Sequence, residues 1–169
     1  VLFPSYEQLK RTSKAISPIL ARQDIRVYEQ GEGASANTLL ENFRSDERAV
    51  LLGTRAFWEG VDVPGEALSA LVLTKMPFDV PSDPIIAARS ETFEDPFSQY
   101  SLPEAILRFR QGFGRLIRTQ SDRGIVVILD RRILTKRYGK LFIESLPTCT
   151  MQVGALADLP RAATKWLNL

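Results

Sequence analysis

The sequence predicts an α/β fold: a parallel sheet with helices on both faces. Three observations carry this expectation. Short continuous apolar runs recur at residues 49–52, 68–74 and 124–129, the last rich in β-branched residues. Stretches with apolar residues at helical spacing alternate with them, as in sheets buried on both faces. The chain has 169 residues, 44% hydrophobic and 25% charged, so it has the length and composition of one ordinary globular domain.

Taken in order, residues 1–3 read as the end of a buried strand. Pro4-Ser5 leads into a helix over 6–20, with Leu9, Ala15, Ile16, Ile19 and Leu20 as its apolar positions. Residues 25–28 form a short strand, and Leu39, Leu40 and Phe43 mark a helix over 37–44. The strand at 49–52 ends at Gly53-Thr54. A Gly-rich loop, 60–65, precedes the run at 68–74, which is long enough for a central strand. Pro77, Pro81 and Pro84 interrupt any regular element over 76–84. Asp83-Pro84 is a helix start, with Asp as N-cap and Pro at the first helical position. A helix over 102–118, a strand over 124–129 and a last helix over 160–167 complete the set. Active residues in such sheets gather at the carboxyl ends of strands. Ser5, Thr54 and Arg131 lie just past those ends.

Composition removes several chemistries. The chain has no histidine, so histidine-based triads, HExxH zinc sites and histidine acid–base catalysis are excluded. A single cysteine, Cys149, excludes an internal disulfide and a cysteine-only metal site. No apolar stretch approaches the ~20 residues that span a bilayer, and the opening residues lack the charged segment, apolar run and small-residue site of a signal peptide, so none is expected. The expected location is cytoplasmic, or nuclear in a eukaryote. The opening Val1-Leu2-Phe3 starts inside a strand, so the chain is expected to be a piece of a larger protein.

The net charge of +2 is unevenly distributed. Between Arg108 and Lys140 stand ten basic residues against two acids, Asp122 and Asp130, leaving −6 for the rest. Such density suits phosphate, and equally a solvated helix face beside an acidic neighbour.

The segment 102–118 is the most informative. At 100° per residue, Leu102, Ile106, Phe109, Phe113, Leu116 and Ile117 share one face. Arg108, Gln111, Arg115 and Arg118 share the other, so guanidinium groups and an amide form a polar stripe. Gly112 and Gly114 each cost about 1 kcal/mol relative to Ala inside a helix, which suggests close backbone approach or a helix end near Gly114. Arginine stays charged and grips phosphate bidentately. An ordinary amphipathic helix with a basic outer face fits the same spacing.

Gln111, Gly114, Arg115 and Arg118 match QxxGRxxR, which resembles motif VI in the second motor lobe of superfamily 2 helicases. The following residues, 119–130, resemble the turn and strand after that motif in XPD/DinG-like helicases. The resemblance implies a RecA-like fold in which Arg115 and Arg118 are arginine fingers and Gln111 is a nucleotide contact. The segment Phe57-Trp58-Glu59-Gly60-Val61-Asp62-Val63-Pro64-Gly65 resembles motif V of the same group. There Glu59, Gly60 and Asp62 fall on the nucleotide side. Thr54, with Arg55 beside it, falls on the nucleic-acid side. Phe3-Pro4-Ser5-Tyr6 resembles motif IV, facing single-stranded DNA with Ser5 as a phosphate contact and Tyr6 as a stacking ring. As a bare dipeptide, Ser-Tyr is also a simple helix cap.

The resemblance covers residues 1 to about 143. Its implied whole is an ATP-driven 5′-to-3′ DNA helicase. The chain carries no GxxxxGK[ST] loop and no Asp-Glu-Ala-His box, so ATP and Mg would be held mostly by a first lobe of the same protein. An iron–sulfur cluster would belong only to that lobe. The expected partners are the first lobe and single-stranded DNA, with no membrane. Two further readings fit: a non-catalytic nucleic-acid-binding module, and a translocase or nuclease-fused motor of the same superfamily.

Overall fold

The computed structural model describes residues 1–31, 33, 35–54, 57, 68–114, 116 and 123–168. Strands β1 (Arg26–Glu29) and β2 (Ala49–Leu52) pair in parallel, with Arg26 opposite Ala49. Strands β3 (Ala70–Leu73) and β4 (Ile125–Ile128) do the same, with Ala70 opposite Ile125. The opening residues join the two pairs, because Leu2 forms parallel bridges to both Gly53 and Leu73. Leu2 N–H donates to Val72 O at 2.8 Å, and Phe3 N–H donates to Gly53 O at 2.9 Å. Residues 1–3 therefore lie at the centre of the sheet, between β2 and β3.

Alternation along the strands sends side chains to two faces. Phe3, Val27, Val50 and Leu52 pack with Leu9 and Ile16 of helix α1 (Tyr6–Ala21). Tyr28, Ala49 and Leu51 pack with Leu39, Leu40 and Phe43 of α2 (Ala36–Ser45). Leu71 and Leu73 pack with Leu102, Ala105 and Phe109 of α4 (Leu102–Phe113). Leu2 touches both of these last clusters, so α2 and α4 cover the face opposite α1. The fold is the expected α/β, RecA-like arrangement. In its core Phe109 meets Phe142, both fully buried, edge to face at 5.3 Å. Each such ring contributes about 1.5–3 kcal/mol by burial.

Local signals set the helix starts. Ser5 caps α1, Ser35 caps α2, and Asp83 caps α3 (Pro84–Ser90) through the N–H groups of Ile85 and Ile86. The segment 76–83 is irregular, as its prolines predict. Helix α7 (Leu159–Leu167) fits the expected last helix.

Two differences from the sequence reading stand out. Helix α4 ends at Phe113, with Gly114 as C-cap, rather than running to 118. The Gly114 N–H bonds back to Arg110 O, and the Leu116 N–H turns back to Phe113 O. Helices α5 (Arg132–Thr135) and α6 (Gly139–Glu144), and a π-helical turn at Phe97–Ser101, were not expected. They are too short to show a period. Tertiary contact holds them: Ile133 and Phe142 enter the core, and a Cβ on Gly139 would collide with Ile133 O. Among the described residues, no helix is long and apolar enough to cross a membrane.

Candidate functional site

All strands run in parallel, so their carboxyl ends open on one edge of the sheet. Residues 4–6 leave the central segment there. Gln30-Gly31 leave β1, Gly53-Thr54 leave β2, residues 74–79 leave β3, and residues 129–132 leave β4.

Ser5 holds φ −143° and ψ 153°, and its Oγ accepts the Gln8 N–H at 3.3 Å. The helix-cap reading of Ser-Tyr is thus realised, and it leaves Ser5 exposed. Tyr6 is also exposed, with Lys10 Nζ 4.9 Å from its ring centroid. The Tyr6 hydroxyl reaches the next connection, since a Cβ on Gly31 would come within 2.9 Å of it. Thr54 is half-buried. Its N–H and its hydroxyl both donate to Gln30 Oε1, each at 2.8 Å.

Ser5-Tyr6 and Thr54, far apart in sequence, thus meet at one edge. Sequence reasoning missed Gln30. The available signal was its place directly after a strand, followed by glycine. Arg55 lies outside the described residues.

Of the nucleotide-side residues, Gln111 is the one among those described. Gln111 is exposed in the last turn of α4. From there the chain turns toward the start of β4, where Leu116 packs so closely on Gly124 that a Cβ would lie 2.6 Å from its side chain. Gln111 therefore stands toward the amino edge of the sheet, away from Ser5, Tyr6 and Thr54. Glu59, Gly60, Asp62, Arg115 and Arg118 lie outside the described residues.

The polar stripe needs one correction. Arg108 is not on a solvated face: only 8% of it is exposed. Its guanidinium faces Asp79 at 2.8 Å and Glu104 at 3.4 Å. The long side chain leans back along α4 and reaches the irregular loop after β3. Asp130 holds the same loop from the other side. Its carboxylate accepts from Met76 N–H at 3.0 Å, from Arg132 N–H at 3.1 Å and from the Arg132 guanidinium at 2.5–3.0 Å. The basic run is therefore not one phosphate surface: Arg108, Arg132 and Lys140 are engaged with Asp79, Asp130 and Glu144. Arg110, Arg123, Arg131, Lys136 and Arg137 remain exposed.

Burial pushes the Asp130 carboxyl up. The Arg132 guanidinium, the Met76 and Arg132 N–H groups and the charge of Arg132 outweigh that effect, leaving its pKa at about 2. A carboxylate whose folded pKa lies below its unfolded value adds stability above the unfolded value and loses it as pH falls through the folded one. Asp130 is expected to contribute about 2 kcal/mol above pH ~4, lost toward pH ~2. Urea unfolding of the parent and Asp130→Asn across this range checks it: the variant should lack that part of the pH dependence.

A wide groove of about 710 Å³ lies between α3 and the π-helical turn, lined by Pro84, Ile85, Ala88, Arg89, Thr92, Phe93 and Tyr100. Among the described residues, it shares none with either predicted set. Among the described residues, no group of three or more His, Cys, Asp or Glu is placed to hold a metal ion. Gln111 offers an exposed amide that suits a nucleotide contact.

Comparison with known proteins agrees with this architecture. Residues 1–149 match the helicase C-terminal domain family. The 3'-5' exonuclease DinG of Bacillus subtilis (strain 168) is 42% identical over 156 residues, covering 89% of this chain and 17% of its own length. The ATP-dependent DNA helicase DinG of Photobacterium profundum is 42% identical over 154 residues, covering 87% and 22%. The ATP-dependent DNA helicase YoaA of Escherichia coli (strain K12) is 43% identical over 145 residues, covering 80% and 23%. The chain thus spans about a fifth of the length of these relatives. An XPD helicase structure shares the fold at a TM-score of 0.63 and 23% identity, over 85% of this chain and 26% of that one. With its central residues 1–3, its carboxyl-edge cluster and its match over nearly the whole length, the chain belongs to the helicase C-terminal domain family, as the C-terminal lobe of an XPD/DinG-like helicase.

Proposed function

We propose that this lobe is the second half of an ATP-dependent DNA helicase motor that moves 5′-to-3′. The observation that carries the DNA side is the meeting of Ser5, Tyr6 and Thr54 at one sheet edge. A serine hydroxyl at a helix start, an exposed ring and a threonine contact a strand's backbone and bases without reading sequence. The similarity to DinG and YoaA proteins named ATP-dependent DNA helicases supports the motor.

On the nucleotide side, Arg115 and Arg118 reach the terminal phosphate of ATP bound on the first lobe. Gln111, Glu59, Gly60 and Asp62 complete that contact. ATP and Mg rest mostly on the first lobe, and any iron–sulfur cluster belongs there. Bound nucleotide supplies the charge that draws the lobes together, and this lobe then moves along the strand as the cleft opens. A cytoplasmic location follows from this reading.

The 169-residue chain alone is expected not to hydrolyse ATP, with or without DNA. Turnover that co-purifies with the chain and disappears with Arg115→Ala would overturn this.

Its binding to oligo(dT) is expected to be weak, indifferent to sequence, and to fall with salt at a log–log slope of about −0.7 per phosphate neutralised by a Lys or Arg. Fluorescence anisotropy at several salt concentrations tests it. Tight, salt-sensitive binding without any partner lobe would instead favour a non-catalytic binding module. The nuclease-fused motor is the second reading, favoured by the Bacillus subtilis relative named a 3'-5' exonuclease.

A further inference from the structure

Gln30 stands where three connections of the carboxyl edge meet, and its side chain is pinned by its oxygen. The Thr54 backbone N–H can only donate, so the atom 2.8 Å from it is an acceptor. That chemistry fixes the amide orientation, with Oε1 toward Thr54. The Thr54 hydroxyl lies 2.8 Å from the same oxygen, and two oxygens so close must share a proton. Oε1 has no proton to give, so the hydroxyl gives its own. A threonine hydroxyl has one proton. While this pair holds, Thr54 presents only lone pairs to a ligand, and lone pairs repel a phosphate oxygen.

The Gln30 amide nitrogen is in the opposite situation. With Oε1 turned to Thr54, Nε2 and its two N–H groups point away from it, and no partner for them occurs among the described residues. The Gln30 backbone is fixed as well, its N–H donating to Leu52 O at 2.9 Å. Gln30 is half-buried, so its position is set while its donors stay within reach of solvent. Gly31 follows at once, with the Tyr6 hydroxyl against it.

We infer that Gln30, rather than Thr54, supplies the hydrogen-bond donor to a nucleic-acid phosphodiester at this edge, with Thr54 as the positioning residue that aims it. The inference rests on the carboxyl edge being the DNA side, as proposed above.

The test compares oligo(dT) binding by the 169-residue chain and three variants at low ionic strength. Gln30→Glu keeps an oxygen for both Thr54 donors but replaces the amide donors with a negative charge. It should weaken binding at least tenfold at low ionic strength, because the amide donors are lost and a carboxylate faces the phosphodiester. Its melting temperature should stay near the parent's. Thr54→Ser keeps both bonds to Oε1 and should lose less binding than Thr54→Val. Thr54→Val keeps the N–H that holds Oε1 and removes the hydroxyl, and should lose less than threefold. In ¹⁵N spectra of the parent, the Gln30 side-chain amide should shift on adding oligo(dT).

Parent-like binding by Gln30→Glu, or a larger loss in Thr54→Val than in Gln30→Glu, would overturn the assignment while leaving the edge as the DNA side. An amide shift with ATP but none with oligo(dT) would assign the contact to a nucleotide and overturn the phosphodiester. No oligo(dT) binding by the parent at any salt would remove the DNA reading of the edge, and this contact with it.

Discussion

Arg115→Ala and Arg118→Ala, each made in the full-length protein, are expected to lower ATP turnover by about 10³ to 10⁵ while leaving DNA binding largely intact. Negative charge spreads over the transferred phosphoryl oxygens in the transition state, and a positioned guanidinium meets it there. Even the lower factor is ~4 kcal/mol of transition-state stabilisation, far above the roughly ±0.5 kcal/mol of an ordinary surface substitution. The assignment rests on the match of Gln111, Gly114, Arg115 and Arg118 to QxxGRxxR. The proper internal control is Arg110, which is exposed on α4 and outside that pattern. Steady-state turnover with saturating DNA is the measurement. Equal small losses in Arg110→Ala and Arg115→Ala would reduce the basic run to a solvated surface.

Arg108→Ala is expected to destabilise the chain by about 3 kcal/mol, with the effect visible in the urea midpoint. The reason is burial. Asp79 has a side chain only 4% exposed, and Arg108 faces it at 2.8 Å from α4, with Glu104 of the same helix at 3.4 Å. Taking away the cation leaves a buried carboxylate facing a cavity, and the long stem's packing goes with it. Exposed Arg110→Ala should stay within about 0.5 kcal/mol. Replacing the pair together, Arg108→Met with Asp79→Leu, should recover much of the loss, because two apolar groups need no counter-charge. A midpoint for Arg108→Ala equal to the parent's would show that the ion pair contributes nothing net.

The same two residues show what could and could not be read from the chain alone. Helical spacing put Arg108 with Gln111 on a polar face, and for an isolated helix that geometry is right. Spacing knows only the helix's own axis, however. Whether a flank meets water or a folded-back loop depends on where residues 74–79 travel after β3, and that irregular connection, with Pro77 in it, has no period to read. The folded chain brings Asp79 over the flank of α4, so Arg108 is buried and Gln111 is exposed. Asp130 is a similar case. Its place at the end of β4 was plain, but its bond to Met76, 54 positions away, was not.

The sequence by itself determined every element that has its own local physics. The apolar runs became β2, β3 and β4. Ser5 and Asp83 started helices because a side-chain oxygen beside free N–H groups is a local contact. The run Val1-Leu2-Phe3 read as strand because continuous apolar residues have few other homes. Only the tertiary structure decided that those residues are the central rung joining two strand pairs, since strand order depends on partners dozens of residues away. It also decided the short helices α5 and α6, which are held by packing rather than propensity. It decided the carboxyl-edge site as well: Ser5, Tyr6, Gln30 and Thr54 belong to three connections, and parallel pairing alone brings three strand ends to one edge. The bond that fixes Gln30 to Thr54 spans 24 positions, and no periodicity or cap signal reaches that far.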